Sequence, residues 1–407
     1  MISPAEKALL ACLDRDELVE LTRGLVRLDS VIRPQTGNTE RRVTEFIRAW
    51  LEDVLGLTCR LDTVAPDREN CIATIDSGRP GPCLLLSGHT DVVSEGDASL
   101  WRYPPFEAHL AEGRIYGRGA CDMKAGIAVI LASARALLHS GFAFHGRLRL
   151  SFVCDEEDLM LGIKDFIRRG HADDVDAAII PEPEENQLCL SMKGALRARV
   201  TVRGRMAHGA MPLEGINPNP RLARFILAVE AYEAREVKRC GEDEFLGRPS
   251  VTVTVVQAPP AGEPAQLNVM PASATACLDI RTIPGQEHER IKRDLQGLLD
   301  DLAAKDPDFD ARIDFFEDRP VVEVGREVPL VELAAGAYHD VTGRAPRFNG
   351  VPGATDGTFL SAWKKIPVLV WGPGPRNLPH QVDEYVEIDE LIASAQMILL
   401  TAARFLQ

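Results

Sequence analysis

Short apolar runs alternate with stretches of helical period along most of this chain, and that alternation sets its architecture. Residues 39–55 place Val43, Phe46, Ile47, Trp50 and Leu51 at the spacing of one helix face. With Ser3-Pro4 as a cap and first-turn proline, the first 60 residues read as helices. Residues 71–75, 82–87, 147–154, 177–180 and 367–371 read as apolar strands, and 123–138, 161–169, 329–342 and 388–405 as helices. Strands without a polar face, alternating with helices, predict an α/β domain: a mostly parallel sheet covered by helices on both faces.

The pattern changes at Lys193-Gly194. Residues 196–203 alternate apolar and basic side chains, as a half-exposed strand does. An amphipathic helix (220–238), two alternating strands (251–256 and 274–280), a helix (287–305) and a strand (312–316) follow. The order β-α-β-β-α-β is that of a ferredoxin-like α+β unit. After Pro320 the chain returns to helix and apolar strand, so the smaller domain is an insert. The expected division is 1–194 and 318–407 for the host and 195–317 for the insert, with hinges near Lys193-Gly194 and 318–320. A length of 407 residues suits two cores.

The formal net charge of -15, with no Lys/Arg-rich block, argues against nucleic acid or an anionic membrane surface as the partner. No 18-residue apolar run offers a membrane span. Residues 1–20 are acidic and amphipathic, unlike a secretory signal. The nine cysteines are scattered without CxxC pairs, and read as reduced thiols of a cytoplasmic protein. Cys121 and Cys154, beside candidate site residues, are expected to be packing groups.

Ligand-type side chains recur near the carboxyl ends of the apolar strands, where open parallel sheets build their sites. His89 follows 83–87, with Asp91 placed to receive its other imidazole N–H. Glu156 and Glu157 follow 147–153, Glu182 follows 177–180 between two prolines, and His380 lies beyond 367–371. Asp122 sits in a glycine-rich loop entering a helix. Singly, each is as well read as a turn histidine, a helix cap or a solvated acidic turn. Together, two histidines and three carboxylates are the set that holds two zinc-like ions with one shared carboxylate, leaving Glu156 as a general base.

The motifs SGHTDVV (87–93), YGRGACDMKAG (116–126), CDEED (154–158) and PEP (181–183) resemble those of the co-catalytic zinc aminoacylase/carboxypeptidase family. So do MKG (192–194), GRMAHGAMPLEGINP (204–218), NVMP with LDIR (268–281), and WGPG with His380. That family includes acetylornithine deacetylase, succinyl-diaminopimelate desuccinylase and glutamate carboxypeptidase. The resemblance implies that His89 and Glu182 bind one ion and Glu157 and His380 the other. Asp122 would bridge them, with a cis bond to Met123. Glu156 would take a proton from the bridging water and pass it to the leaving amine. The insert resembles the family's lid and dimerisation domain. In it His208 would steady the oxyanion in a partner subunit's site, and Asn268 and Arg281 would bind a substrate carboxylate. Two divalent ions are implied, zinc or else cobalt or manganese.

The expectation is a homodimeric metallohydrolase that cleaves the amide of an N-acyl amino acid or small peptide with a free carboxylate. The alternative is a relative that acts on another C–N bond, carbamoyl, ureido or aryl-amine. A non-catalytic binding protein would have lost a ligand or the base, and none is lost. The loop GATDG (353–357) stands where members often carry Gly-Thr-Ser-Asp, which leaves the substrate open.

Overall fold

The structure, a computed structural model, describes residues 1–407 and divides into two units. The larger comprises Met1–Leu190, Val324–Gly350 and Thr355–Gln407, and the smaller Ser191–Glu323 and Val351–Ala354. The first stretch runs α1 (Pro4–Leu10), α2 (Arg15–Val26), α3 (Arg41–Leu55), β1 (Arg60–Ala65), β2 (Arg68–Asp76), β3 (Cys83–His89), β4 (His109–Ala111) and β5 (Arg114–Tyr116). It continues through α4 (Lys124–His139), β6 (Arg147–Val153), α5 (Leu161–Arg168), β7 (Ala177–Pro183) and β8 (Leu188–Met192). Then come β9 (Gly194–Arg203), β10 (Ala207–His208), α6 (Pro218–Cys240), β11 (Ser250–Gln257), β12 (Val269–Met270), β13 (Ser273–Thr282), α7 (His288–Lys305), β14 (Asp310–Arg319) and β15 (Val322–Glu323). The chain closes with α8 (Pro329–Thr342), β16 (Phe348–Val351), α9 (Gly357–Lys364), β17 (Val368–Gly372), β18 (Tyr385–Glu387) and α10 (Ile388–Phe405).

In the larger unit the sheet order is β1-β2-β6-β3-β7-β17-β8, with β16 also on β8. Its centre, β6-β3-β7-β17, is parallel, and β1, β2 and β8 extend it antiparallel. Every residue of β3, β7 and β17 is buried, which is why these strands carry no polar face. The helix α4 is buried nearly all round. It packs on β3 and β7 and against α2, α3 and α10, while α5 and α9 form a separate contacting pair beside β6 and β17. A short second sheet, β18-β5-β4, flanks the loop into α4. No helix is long and apolar enough to cross a membrane.

The smaller unit has the sheet order β11-β13-β9-β14, all antiparallel, under α6 and α7. This is the ferredoxin-like arrangement that the element order implied. Val200, Phe225, Leu278 and Leu295 lie in its core. The chain passes between units at 190/191 and 323/324, a few residues outside the expected 194/195 and 317/318. The reason is pairing: β15 joins Ser191 and Met192, and the Lys193 N–H donates to Val351 O at 3.1 Å, drawing 351–354 along.

Candidate metal centre

The parallel strands deliver the site. β3 runs two residues past the expected 82–87, because Gly88 and His89 pair with Phe152 and Val153 of β6. His89 is therefore the last residue of a central strand, buried and held in register. Its Nε2 lies 3.1 Å from Asp122 Oδ1 and 3.8 Å from Glu182 Oε1. His380 Nε2 lies 3.5 Å from Asp122 Oδ2 and 3.0 Å from Glu157 Oε2. Two groups of donors result, His89 with Asp122 and Glu182, and Asp122 with Glu157 and His380, each with its ligand atoms within 4.8 Å of one another. Asp122 belongs to both, one oxygen facing each histidine.

The local backbone explains this convergence. Asp122 does not cap α4: the helix begins at Lys124, Met123 takes the cap position, and no side chain caps the helix. The Asp122–Met123 peptide bond is cis. Glu182 sits within β7, and the strand end is pressed close: a Cβ on Gly126 would come within 2.2 Å of Pro181 O. Only glycine lets α4 approach the Glu182 strand so nearly. His380 arrives on the loop after β17 with left-handed backbone, φ 69°. Its side chain is 55% exposed, so the centre opens to solvent on that side.

The acidic turn after β6 is splayed by its neighbours. Asp91 meets His89 Nδ1 twice, through its backbone carbonyl at 3.0 Å and its carboxylate at 3.6 Å. That carboxylate also accepts the N–H groups of Glu156 and Glu157, each at 3.1 Å. Asp155, at φ 69°, accepts from Leu159 and Leu161 and is tied to Arg68, which also binds Glu40. The turn thus sends Glu157 into the second donor group and leaves Glu156 buried and outside both, with Asp158 exposed. Cys121 and Cys154 are fully buried, and burial raises both thiols, as inert packing groups require.

Electrostatics mark the cluster as strained without a cation. Burial pushes the Glu182 and Glu156 carboxyls well above the usual range, and like charges add to the shift: Asp122 and Glu157 on Glu182, Asp356 and Glu182 on Glu156. Burial and the Asp122 charge raise Glu157 in the same way. Burial opposes a charged His89, yet the Glu182 charge and contacts with Asp122 and Asp91 hold it well above the histidine range. His380 is pushed up to about 10 by hydrogen bonds to Asp122 and Glu157. Glu157 Oε1 is buried with no hydrogen-bond partner. An orphaned carboxylate oxygen among imidazoles and carboxylates, without a thiolate, fits a divalent ion of the zinc, cobalt or manganese kind.

A proton balance follows. An imidazole binds a cation only when neutral. The surroundings of both histidines favour the protonated ring in the ion-free protein, so ion binding is expected to expel protons from them. Zinc titration at pH 7 in buffers of different ionisation enthalpy is expected to release at least two protons per chain. Affinity should rise with pH above neutrality, as both raised imidazoles give up their protons more readily. Binding without proton release would contradict the paired geometry.

His208, Asn268 and Arg281 all lie in the smaller unit. The β10–β12 ribbon pairs His208 with Val269, and Gly209 N–H donates to Asn268 O at 2.7 Å, so His208 and Asn268 are neighbours. Both are exposed. His208 Nδ1 accepts the Ala210 N–H at 3.1 Å, which puts the neutral ring's proton on Nε2. Arg281, on β13, is not a waiting fork: Nε and Nη2 bind Asp279 at 2.5 and 3.1 Å. Sequence reasoning missed that partner, which stands two residues earlier on the same strand face. It also missed Glu384, a fully buried carboxylate against the Asp122 loop, hidden in what reads as a solvated Asp-Glu turn.

The chain is similar to known proteins over most of its length. A family model described as peptidase family M20/M25/M40 matches residues 85–404. The chain is 34% identical over 349 residues to a succinyl-diaminopimelate desuccinylase of Methylobacterium sp. (strain 4-46), covering 82% of this chain and 83% of that one. It is 31% identical over 401 residues to a protein of the same name from Methylobacterium nodulans, covering 93% and 94%. Among solved structures, an M20 family metallo-carboxypeptidase from Sulfolobus solfataricus shares the fold with a TM-score of 0.78 at 19% identity, over 96% of this chain and 99% of that one.

Proposed function

This chain belongs to peptidase family M20/M25/M40, and on that premise we propose that it cleaves the amide of an N-acyl amino acid bearing a free carboxylate, with Glu156 as the proton carrier. Membership makes it a metal-dependent hydrolase of amide bonds. The observation that carries the finer reading is the Asp122 carboxylate, one oxygen on each donor group, beside a buried Glu156 that belongs to neither.

In this reading His89 and Glu182 hold one divalent ion, Glu157 and His380 the other, and Asp122 both. Zinc is the first choice, and cobalt and manganese suit the same donors. Bound there, the ions would supply Lewis-acid polarisation of the scissile carbonyl and acidify water. Glu156 takes a proton from the attacking water and returns it to the departing nitrogen, so the carboxyl ends as it began. Its raised affinity for protons suits the task. Asp91 keeps Glu156 and Glu157 apart through their two N–H groups. The smaller unit offers the substrate contacts: His208 with an Nε2–H donor for an anionic oxygen, Asn268 beside it, and Arg281 for a carboxylate, which must exchange with or share Asp279. The same reading takes the protein as a cytoplasmic homodimer paired through the smaller unit. It is supported by nine free cysteines and by the sheet-edge strand β11, which exposes Val255 and Val256.

The relatives' name, succinyl-diaminopimelate desuccinylase, makes N-succinyl amino acids the first acyl class to try. The deciding experiment is turnover by zinc- or cobalt-loaded protein against N-succinyl amino acids, N-acetyl amino acids and dipeptides. Hydrolysis of at least one carboxylate-bearing amide is expected, fastest for the succinyl series. No turnover of any, with hydrolysis of a carbamoyl or ureido substrate, would transfer the same chemistry to another C–N bond.

A further inference from the structure

We propose that Glu384 is the positioning residue of the metal centre: it fixes the loop that carries Asp122 and thereby sets the affinity of both ion sites together. The inference rests on the reading of Asp122 as the shared ligand.

The placement of Glu384 is built into the second sheet. β18 pairs with β5 in the register Tyr385–Tyr116, Val386–Ile115 and Glu387–Arg114. The next step sets Glu384 against Gly117, whose N–H donates to Glu384 O at 2.9 Å. β5 leads directly into residues 117–123, the loop that carries Asp122. The pairing is thus a ruler that brings the side chain of Glu384 under that loop.

The carboxylate then takes three of the loop's backbone N–H groups and one side-chain donor. Oε1 accepts the N–H groups of Cys121 at 2.9 Å and Asp122 at 3.0 Å. Oε2 accepts the N–H of Gly119 at 3.0 Å and binds the Arg118 guanidinium. Glu384 is 0% exposed and Arg118 only 2%, so water does not compete for these bonds. The loop lies between β5 and α4, with no helix or sheet ladder of its own to hold it. Without Glu384 the N–H groups of Gly119, Cys121 and Asp122 would lose their acceptor. The conformation that aims Asp122 at both histidines is accordingly the one that satisfies Glu384.

The same segment supplies a ligand. His380 stands four residues before Glu384, so one loop both contributes a donor to the second group and clamps the carboxylate common to both. Disturbing Glu384 moves Asp122, which neither group can lose. A residue acting only on general stability would not weaken both sites in a protein that remains folded.

Glu384→Gln keeps the size but turns one acceptor oxygen into a donor, which opposes the loop's N–H groups in either amide orientation. Ion-free wild type and variant are titrated with zinc chloride alone by calorimetry, at a temperature where circular dichroism shows both folded. Both affinities are expected to fall together by about 10- to 100-fold, the loss typical of groups that orient metal ligands. His380→Ala is the comparison, expected to weaken one site far more than the other. Affinities within about twofold of wild type, or a loss confined to one site, overturn the proposal. Should Glu384→Gln not fold, Glu384→Asp is titrated instead. Its arm is one methylene too short for all four donors, so the same joint loss is expected and wild-type affinity overturns it. Failure of the underlying reading looks different: Asp122→Ala would keep one zinc at wild-type affinity.

Discussion

Glutamine at position 156 is expected to leave two ions per chain and to lower kcat by about 10²- to 10⁴-fold, or roughly 3–5 kcal/mol of transition-state stabilisation. Glu156 is outside both donor groups, so its loss removes no ligand. Its backbone is pinned by Asp91 through an N–H bond of 3.1 Å that the amide variant retains. The substitution therefore deletes one property, the ability to accept and give up a proton. KM should change little, because the interaction is made in the transition state and not with bound substrate. Metal content by mass spectrometry and steady-state kinetics on the best N-acyl substrate measure the two halves. Full turnover with both ions bound would remove Glu156 from the mechanism.

The contrast between Glu156 and its neighbour shows how far sequence reaches. Four consecutive carboxylates after a buried strand raise the prospect of a site, but by themselves they read equally well as a solvated acidic turn, and Asp155 is in fact held by Arg68 while Asp158 is exposed. Which of them joins a donor group depends on the turn, and the turn depends on Asp91, Asp155, Arg68 and Glu40, residues far apart in the chain. The strand ends were legible because β3, β7 and β17 are buried on both faces and show no alternation. The insert was legible for the opposite reason: β9 and β13 alternate in burial along most of their length. The three-residue strands β4, β5 and β18 carry too few residues for any period. With them the signal for Glu384 was lost, since its role comes from strand register and not from its own neighbourhood. Arg281 illustrates a further gap. A motif names the residue, but only coordinates show that Asp279 already holds it.

Alanine at position 122 is expected to abolish tight binding of both ions and to bring turnover to background. Every other candidate donor belongs to one group: His89 and Glu182 to the first, Glu157 and His380 to the second. Removing His380 should therefore cost one ion, and removing Asp122 two. The loss should exceed the 10- to 100-fold typical of supporting residues, because an oxygen donor disappears from each site. The histidines respond as well. Asp122 gives both His89 and His380 a hydrogen-bonded carboxylate oxygen, and these contacts help raise both rings above the ordinary range. Without it both should titrate closer to neutrality, so the residual binding should release fewer protons at pH 7 than wild type. Calorimetry in paired buffers reads stoichiometry, affinity and proton release in one series. One ion retained at wild-type affinity in Asp122→Ala would show that the two groups are independent, and the two-ion reading of the centre would have to be replaced by a one-ion reading.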